Sequence, residues 1–156
     1  VYIGDGNNMA NSYLLAGAVA GMEVIVVSPA GYLPKQEFIT RAEVVAARTG
    51  AKVSVGSNIQ ESLAGADVVA TDTWVSMGQE QEKEKRIKDF AGFTITSDLM
   101  KLAKSDAIVL HCLPAYRGYE ISVEVLDGPQ SVIWDQAENR LHAQKALMSW
   151  LAGHGN

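Results

Sequence analysis

Cysteine, long hydrophobic runs and excess positive charge are all scarce in this sequence of 156 residues. Its single cysteine, Cys112, excludes an internal disulfide and a zinc site built from cysteines alone. No apolar run reaches the roughly 18 residues that a membrane-spanning helix needs, and no signal peptide is recognisable. The net charge of −5 argues against a nucleic-acid-binding protein, because such proteins present a basic face. We therefore expect a cytoplasmic protein that binds neither membrane nor nucleic acid.

The composition, 47% apolar and 20% charged, is that of one globular domain with a sizeable core. Short, continuous apolar runs alternate with helix-like segments, as is typical of strands that are covered on both faces. The predicted strands are residues 1–3, 24–27, 53–55, 68–71, 107–110 and 132–134. The predicted helices are residues 8–21, 35–49, 60–64, 79–89, 98–104 and 136–151. This order predicts a single-domain, three-layer αβα sandwich with a mostly parallel, Rossmann-like sheet.

Each of four polar clusters follows a predicted strand. They are Gly4-Asp5-Gly6-Asn7-Asn8, Asp72-Thr73-Trp74-Val75-Ser76-Met77-Gly78, His111-Cys112-Leu113-Pro114 and Glu138-Asn139-Arg140. Ligands of open α/β sheets bind in the crevice outside the carboxyl ends of the strands. The clusters therefore predict one small-molecule site at that edge.

The first cluster combines a glycine turn with the start of a helix, which is where a dinucleotide would bind. The dinucleotide fingerprint is incomplete, however, because Met9 replaces its third glycine and no acidic residue follows the second strand. One asparagine suffices to cap the helix. We therefore expect Asn8 to face a ligand, with simple capping as the alternative.

In the second cluster, Asp72 stands at the mouth of a strand and can bind an ammonium group. Amide donors around Met77, together with the Asn8 side chain, can bind a carboxylate. The alternative is that Asp72 caps a turn while Trp74 and Met77 only pack. The charged residues 79–86 read as a solvated helix face or as a segment that closes over the site.

The third cluster places His111 beside Cys112, but neighbouring residues of a strand point to opposite faces. We therefore expect Cys112 to be a neutral pocket thiol rather than a nucleophile activated by His111. A core histidine satisfied by the backbone is the alternative to a functional His111. Pro114 biases Leu113 towards an extended backbone and permits a cis Leu113-Pro114 bond. In this cluster, the backbone carbonyls of Cys112 and Leu113 can matter for ligand binding as much as any side chain.

The fourth cluster places Arg140 near the start of the last predicted helix, where the helix dipole disfavours a cation. Such an arginine beside a cleft points to an anionic ligand, since guanidinium binds phosphate or carboxylate oxygens. An ion pair with Asp135 or Glu138 is the alternative.

With these motifs in order along nearly its whole length, the chain resembles the second half of ornithine carbamoyltransferases. Ser76-Met77-Gly78 is the most specific of them, because it separates the ornithine enzymes from the aspartate-using branch. The resemblance implies carbamoyl transfer from carbamoyl phosphate to the δ-amine of L-ornithine, giving citrulline and phosphate, without metal, cofactor or covalent intermediate. Residues 1–156 would form the ornithine-binding domain.

The family's site residues carry over onto matching positions. Those that would bind the α-amino and α-carboxylate groups of ornithine are Asn8, Asp72, Ser76 and Met77. Cys112 and Leu113 would line the junction between amine and carbamoyl carbon, and Arg140 would contact carbamoyl phosphate. Cys112 and Arg140 are thus the expected catalytic residues.

The family's carbamoyl-phosphate motifs, Ser-x-Arg-Thr-Arg and His-Pro-x-Gln, do not occur in this sequence. The half that carries them also supplies most contacts of the family's homotrimer. Because the chain also begins inside a predicted strand, we expect a fragment that binds ornithine weakly, if at all, and does not turn over. The other hypotheses are a cofactor-binding Rossmann domain and a non-catalytic amino-acid-binding module.

Overall fold

A computed structural model describes residues 1–76 and 78–154. Its central sheet has five parallel strands in the order β3-β2-β1-β4-β5. They are Tyr2–Ile3 (β1), Glu23–Val27 (β2), Lys52–Gly56 (β3), Val68–Thr71 (β4) and Ile108–His111 (β5). The α/β architecture with a parallel sheet confirms the predicted fold class.

Helices cover both faces of this sheet. They are Met9–Val19 (α1), Gln36–Thr49 (α2), Ile59–Leu63 (α3), Lys83–Asp89 (α4), Ser97–Met100 (α5), Val123–Leu126 (α6) and Ile133–His154 (α7), with a short 3-10 helix at Glu80–Glu82 before α4. None of the helices in the described residues is both long enough and apolar enough to cross a membrane.

Successive residues of the strands pack into two separate hydrophobic cores. Tyr2 faces the α1 and α2 side, whereas Ile3 faces the side of α3 and α6. The small residues of α1 allow close packing, since a Cβ on Gly17 would lie 2.2 Å from Val24 Cγ2. Burial on both faces explains why the strands read as continuous apolar runs.

The structure differs from the sequence prediction at two elements. The expected sixth strand at residues 132–134 is wrong: only Ser131 bridges Val109, and Ile133 already begins α7. Ile133 is fully buried while Trp134 is 58% exposed, which suits the first turn of a helix as well as a strand end. Three apolar residues carry too little periodicity to separate the two. The four-residue helix α6 was not predicted from the sequence, because it is too short to show a helical period.

The sheet places a topological switch between β1 and β4. From β1 the chain builds outward through β2 and β3, then returns to lay β4 on the other side of β1. A crevice opens outside the carboxyl ends of two such neighbouring strands. The Gly4–Asn8 turn follows β1 and Asp72 follows β4, so the switch brings the first two clusters to one crevice.

Candidate substrate-binding site

The turn after β1 is held by a backbone hydrogen bond to a later segment of the chain. The Gly6 amide donates to the Tyr32 carbonyl at 2.7 Å. A Cβ on Gly6 would lie 2.3 Å from both this oxygen and the Pro34 nitrogen. The pyrophosphate of a dinucleotide needs free amides at this turn. The geometry therefore disfavours the cofactor-binding alternative.

Asp5 in the same turn forms a buried ion pair with Arg86 of α4. The Arg86 Nη1 atom lies 2.6 Å from Asp5 Oδ2 and also donates to the Trp74 carbonyl at 2.9 Å. Burial raises the pKa of Asp5, and the hydrogen bond and charge of Arg86 oppose that rise. The segment after the second cluster is thus tied to the turn after β1 and to the Trp74 loop.

Asn8 occupies the N-cap position of α1, but its side chain makes no capping hydrogen bond. Its backbone has a positive φ of 36°, which is uncommon for residues other than glycine. The backbone carbonyl of Asn8, rather than its side chain, accepts a hydrogen bond from the Ser12 amide at 3.2 Å. The exposed Asn8 side chain is therefore not used in capping.

Asp72 and Cys112 lie side by side because β4 and β5 are paired with Thr71 opposite His111. Asp72 is only 7% exposed, and its Oδ1 accepts the Thr73 amide at 2.7 Å. Burial, a hydrogen bond to Asp72 and the charge of Asp72 raise the pKa of the Cys112 thiol to about 12, with the charge of Arg140 opposing the rise. The thiol is neutral at physiological pH, as the sequence predicted.

His111 is fully engaged within the fold. Its Nδ1 accepts the Leu113 amide at 2.9 Å, and its Nε2 lies 3.1 Å from Glu120 Oε1. It is therefore a core histidine satisfied partly by the backbone, which was one of the two sequence-based interpretations. One atom each of Asp72, His111 and Cys112 lie within 4.8 Å of one another. A metal ion there would nevertheless need a ring nitrogen that already has a partner.

The Leu113-Pro114 peptide bond is cis, and Leu113 has a positive φ of 60°. This turn presents the carbonyls of Cys112 and Leu113 immediately beyond the end of β5.

Arg140 lies three residues further into a helix than the sequence predicted, and so beyond its first turn, because α7 begins at Ile133 rather than at residue 136. The dipole argument for a misplaced cation is therefore wrong, since that effect is confined to the first turn. No ion pair of Arg140 occurs among the described residues, and Glu138 pairs with His142 at 3.3 Å instead. Arg140 still lies near enough to Cys112 to stabilise its thiolate.

Ser76 begins a closed turn. Its amide donates to Gln79 Oε1 at 3.1 Å, and the Gln79 amide donates back to the Ser76 carbonyl at 3.0 Å. The half-buried Ser76 lies four residues after Asp72, on the loop that leads into α4. Met77, the remaining predicted ornithine ligand, lies outside the described residues.

Two side chains at this site, Tyr13 and Gln136, were not predicted from the sequence. Burial and the charge of Asp72 raise the pKa of Tyr13, while a hydrogen bond from Gln136 opposes the rise. Gln136 also accepts the His111 amide at 2.9 Å. The one sequence feature that could have pointed to Tyr13 as a site residue is its position shortly after Asn8, within the first turns of α1. No sequence feature pointed to Gln136.

Comparison with known proteins extends over the same residues. The family model described as "Aspartate/ornithine carbamoyltransferase, Asp/Orn binding domain" matches residues 1–151. The ornithine carbamoyltransferase of Bifidobacterium longum subsp. infantis is 58% identical over 153 residues, which is 97% of this chain and 48% of that protein. The chain thus spans about half the length of the curated relatives it matches.

Solved structures agree with the sequence relatives. The anabolic ornithine carbamoyltransferase of Campylobacter jejuni superimposes with a TM-score of 0.92 at 48% identity, covering 97% of this chain and 50% of that one. The ornithine carbamoyltransferase of Pyrococcus furiosus gives 0.90 at 49% identity, covering 95% and 47%. With its parallel sheet, its polar strand ends and a family match over residues 1–151, this chain belongs to the aspartate/ornithine carbamoyltransferase family and corresponds to its Asp/Orn binding domain.

Proposed function

We propose that this chain is the ornithine-binding half of an ornithine carbamoyltransferase. The single observation that carries the proposal is the buried Asp72 carboxylate, which follows a strand that flanks the switch of the parallel sheet and lies beside the neutral Cys112 thiol. A carboxylate with one oxygen taken by the Thr73 amide keeps acceptor capacity for an ammonium group. An α-amino acid supplies that group, and the relatives named above act on ornithine.

In this proposal, Asp72 binds the α-ammonium of L-ornithine. The Asn8 amide, which capping leaves free, binds the α-carboxylate together with donors of the Ser76-Met77 loop. Ornithine would then lie across the ends of β1 and β4, with its δ-amine directed towards the end of β5. Residues 1–156 act as one ornithine-binding domain.

The δ-amine meets the carbamoyl carbon beside Cys112 and the Leu113 carbonyl. The neutral amine attacks, a C–N bond forms, the C–O bond to phosphate breaks, and the amine releases one proton. The reaction needs two substrates held at attack distance and charge stabilisation at the carbamoyl oxygen and the leaving phosphate. Arg140 supplies positive charge on this side, and Cys112 contributes as an uncharged neighbour of the amine.

The carbamoyl-phosphate half, the homotrimer and the cytoplasmic location are further parts of the proposal. The first of these is supported by the chain's coverage of about half of each relative and by the absence of the two carbamoyl-phosphate motifs from its sequence. Half a cleft gives little stabilisation to a transition state that both halves must contact. The purified chain is therefore expected to form no citrulline above background.

Calorimetric titration with L-ornithine tests the amino-acid site directly, with putrescine and NAD as control ligands. Putrescine carries the amines without the α-carboxylate. Binding of ornithine but not putrescine, lost in Asp72→Ala, would support the proposal. Binding of NAD would instead favour the cofactor-binding alternative.

A chimera tests the activity. The aligned 153 residues of the Bifidobacterium longum enzyme are replaced by those of this chain, and citrulline formation is measured. We expect turnover that Asp72→Ala abolishes. A folded chimera that binds ornithine without forming citrulline would favour the non-catalytic binding module. A folded chimera that does neither would overturn the proposed function.

A further inference from the structure

Glu120 is an acidic residue with no contact to solvent. It precedes α6, its exposure is 0%, and its carboxylate lies beneath the turn formed by residues 111–114. The Oε1 atom accepts the Tyr116 amide at 2.6 Å and faces His111 Nε2 at 3.1 Å. The Oε2 atom is buried without a hydrogen-bond partner. Burying a carboxylate costs free energy, so packing alone does not explain why Glu120 lies at this position.

The hydrogen bonds around His111 define which ring nitrogen carries the proton. The Leu113 amide can only donate, so Nδ1 must offer a lone pair. The proton of the neutral ring therefore lies on Nε2 and is donated to Glu120 Oε1. Within residues 1–76 and 78–154, Glu120 is the only hydrogen-bond partner of Nε2, so this carboxylate selects the tautomer.

The bond from Leu113 to Nδ1 holds an unusual backbone conformation. Leu113 has a φ of 60°, a left-handed conformation that residues other than glycine seldom adopt. The His111 amide is itself held by Gln136 at 2.9 Å. The imidazole thus links a buried carboxylate to the turn on which Cys112 and the Leu113 carbonyl stand.

We propose that Glu120 is a positioning residue, which fixes the Nε2–H tautomer of His111 so that Nδ1 holds the Leu113 amide and orients the Cys112–Leu113 segment towards the reacting amine. Glu120 itself touches no substrate. The proposal rests on the proposed function for the role of that segment, whereas the tautomer of His111 does not depend on it.

The tautomer is measured first, on the chain as it stands. The chain has three histidines, so His142→Gln with His154→Gln leaves His111 as the only one. In ¹⁵N-histidine spectra at neutral pH we expect an unprotonated Nδ1 and a slowly exchanging proton on Nε2. A proton on Nδ1, in either the other tautomer or the imidazolium, would overturn the proposal without any change at Glu120.

Variants at Glu120 then separate positioning from packing. Glu120→Gln keeps an oxygen that accepts from Tyr116 and His111, whereas Glu120→Leu fills the space with no acceptor. The Gln variant should keep the tautomer and the Leu variant should lose it. Glu124→Gln, an exposed acid on α6, is the matched control and should change neither spectrum nor stability. A tautomer that changes in Glu120→Gln would contradict the proposal even if Glu120→Leu did not fold.

Steady-state kinetics of the chimera test whether Glu120 affects the reaction. Glu120→Leu should raise the KM for ornithine or lower kcat by about tenfold or more, and Glu120→Gln should restore most of the loss. A folded Glu120→Leu chimera with unchanged kinetics and unchanged His111 tautomer would refute the positioning role. An inactive parent chimera would count against the proposed function, while the spectra would still decide the hydrogen-bond network.

Discussion

Burial is the largest cause that raises the pKa of the Cys112 thiol, and its neighbours add to that effect. Asp72 accepts a hydrogen bond from the Cys112 thiol and places a negative charge beside it. Both effects favour the protonated form of Cys112. Arg140 acts in the opposite direction but does not prevail. Asp72 therefore helps to keep the adjacent sulfur uncharged, so that in the proposed site no second anion would compete for the amine.

Replacing Asp72 by Asn should make Cys112 more reactive. The substitution removes the negative charge, so the pKa of the thiol should fall from about 12 towards its ordinary value near 9. Alkylation by iodoacetamide requires the thiolate. Between about pH 8 and pH 10, Asp72→Asn should therefore react about tenfold faster or more than the parent chain.

The pH–rate profile of alkylation is the measurement, with Cys112→Ser as the blank. Glu124→Gln, which removes an exposed carboxylate far from Cys112 in the chain, is the charge-matched control and should leave the profile unchanged. Equal profiles for Asp72→Asn and the parent chain would show that burial alone protects the thiol.

Residues at strand ends were the ones whose positions could best be predicted from the sequence. Asp72 and Cys112 could be predicted as neighbours because each follows an apolar run, and parallel strands end at one edge. Glu120 could not be predicted, because an acidic residue in a loop is normally exposed and only the folded chain shows it under His111. Arg140 was misplaced because a short apolar run concealed the true start of α7.

At the scale of elements, Arg86 connects α4 to the loops that follow β1 and β4. Its guanidinium reaches Asp5 after β1, the Trp74 carbonyl after β4, and Glu82 at 3.2 Å on its own segment. It also lies over the Tyr32 ring, 5.0 Å from the centroid. The segment following the Ser76 turn is thus anchored at one buried cation, and motion of that segment is expected to pivot about it.

Arg86→Met should destabilise the fold by about 3 kcal/mol, because it leaves Asp5 buried without its cation. Lys85→Met is the matched control: its partner Asp89 is at 2.7 Å, but the lysine side chain is 70% exposed. That exposed pair should contribute far less to stability, because water screens it. The free energy of unfolding in urea, followed by circular dichroism, gives both values.

Adding Asp5→Asn to Arg86→Met should recover part of the lost stability, since the uncompensated charge is then gone. Similar losses for Arg86→Met and Lys85→Met would mean that the buried pair does not anchor α4.

At the scale of the whole molecule, α7 presents an apolar stripe to solvent. Trp134, Leu141 and Met148 recur every seven residues and share one face of the helix, with exposed fractions of 58%, 66% and 65%. A stripe of this kind on a globular domain marks a surface made for contact. In the proposed enzyme, the other half of the chain is the natural candidate to cover it.

Without that half, the chain should associate with itself through α7. Leu141→Lys with Met148→Lys should weaken self-association by about tenfold or more, because burial of each side chain contributes about 1.5–3 kcal/mol. Sedimentation velocity across a concentration series measures the effect. Val44→Lys on α2, where the valine is 52% exposed, is the control and should leave the association unchanged. A chain that stays monomeric at all concentrations would contradict this prediction.

Apolar runs, glycine turns and polar strand ends determined by themselves the α/β class, the parallel sheet and the edge at which the polar clusters gather, because these depend on local periodicity and on the rule that parallel strands end together. Only the tertiary structure decided which groups share a proton or a charge. The partners of Asp5, His111 and Cys112 come from distant segments, at Arg86, Glu120 and Asp72. Such contacts leave no periodic trace in a sequence, since burial and pairing arise only when the segments pack.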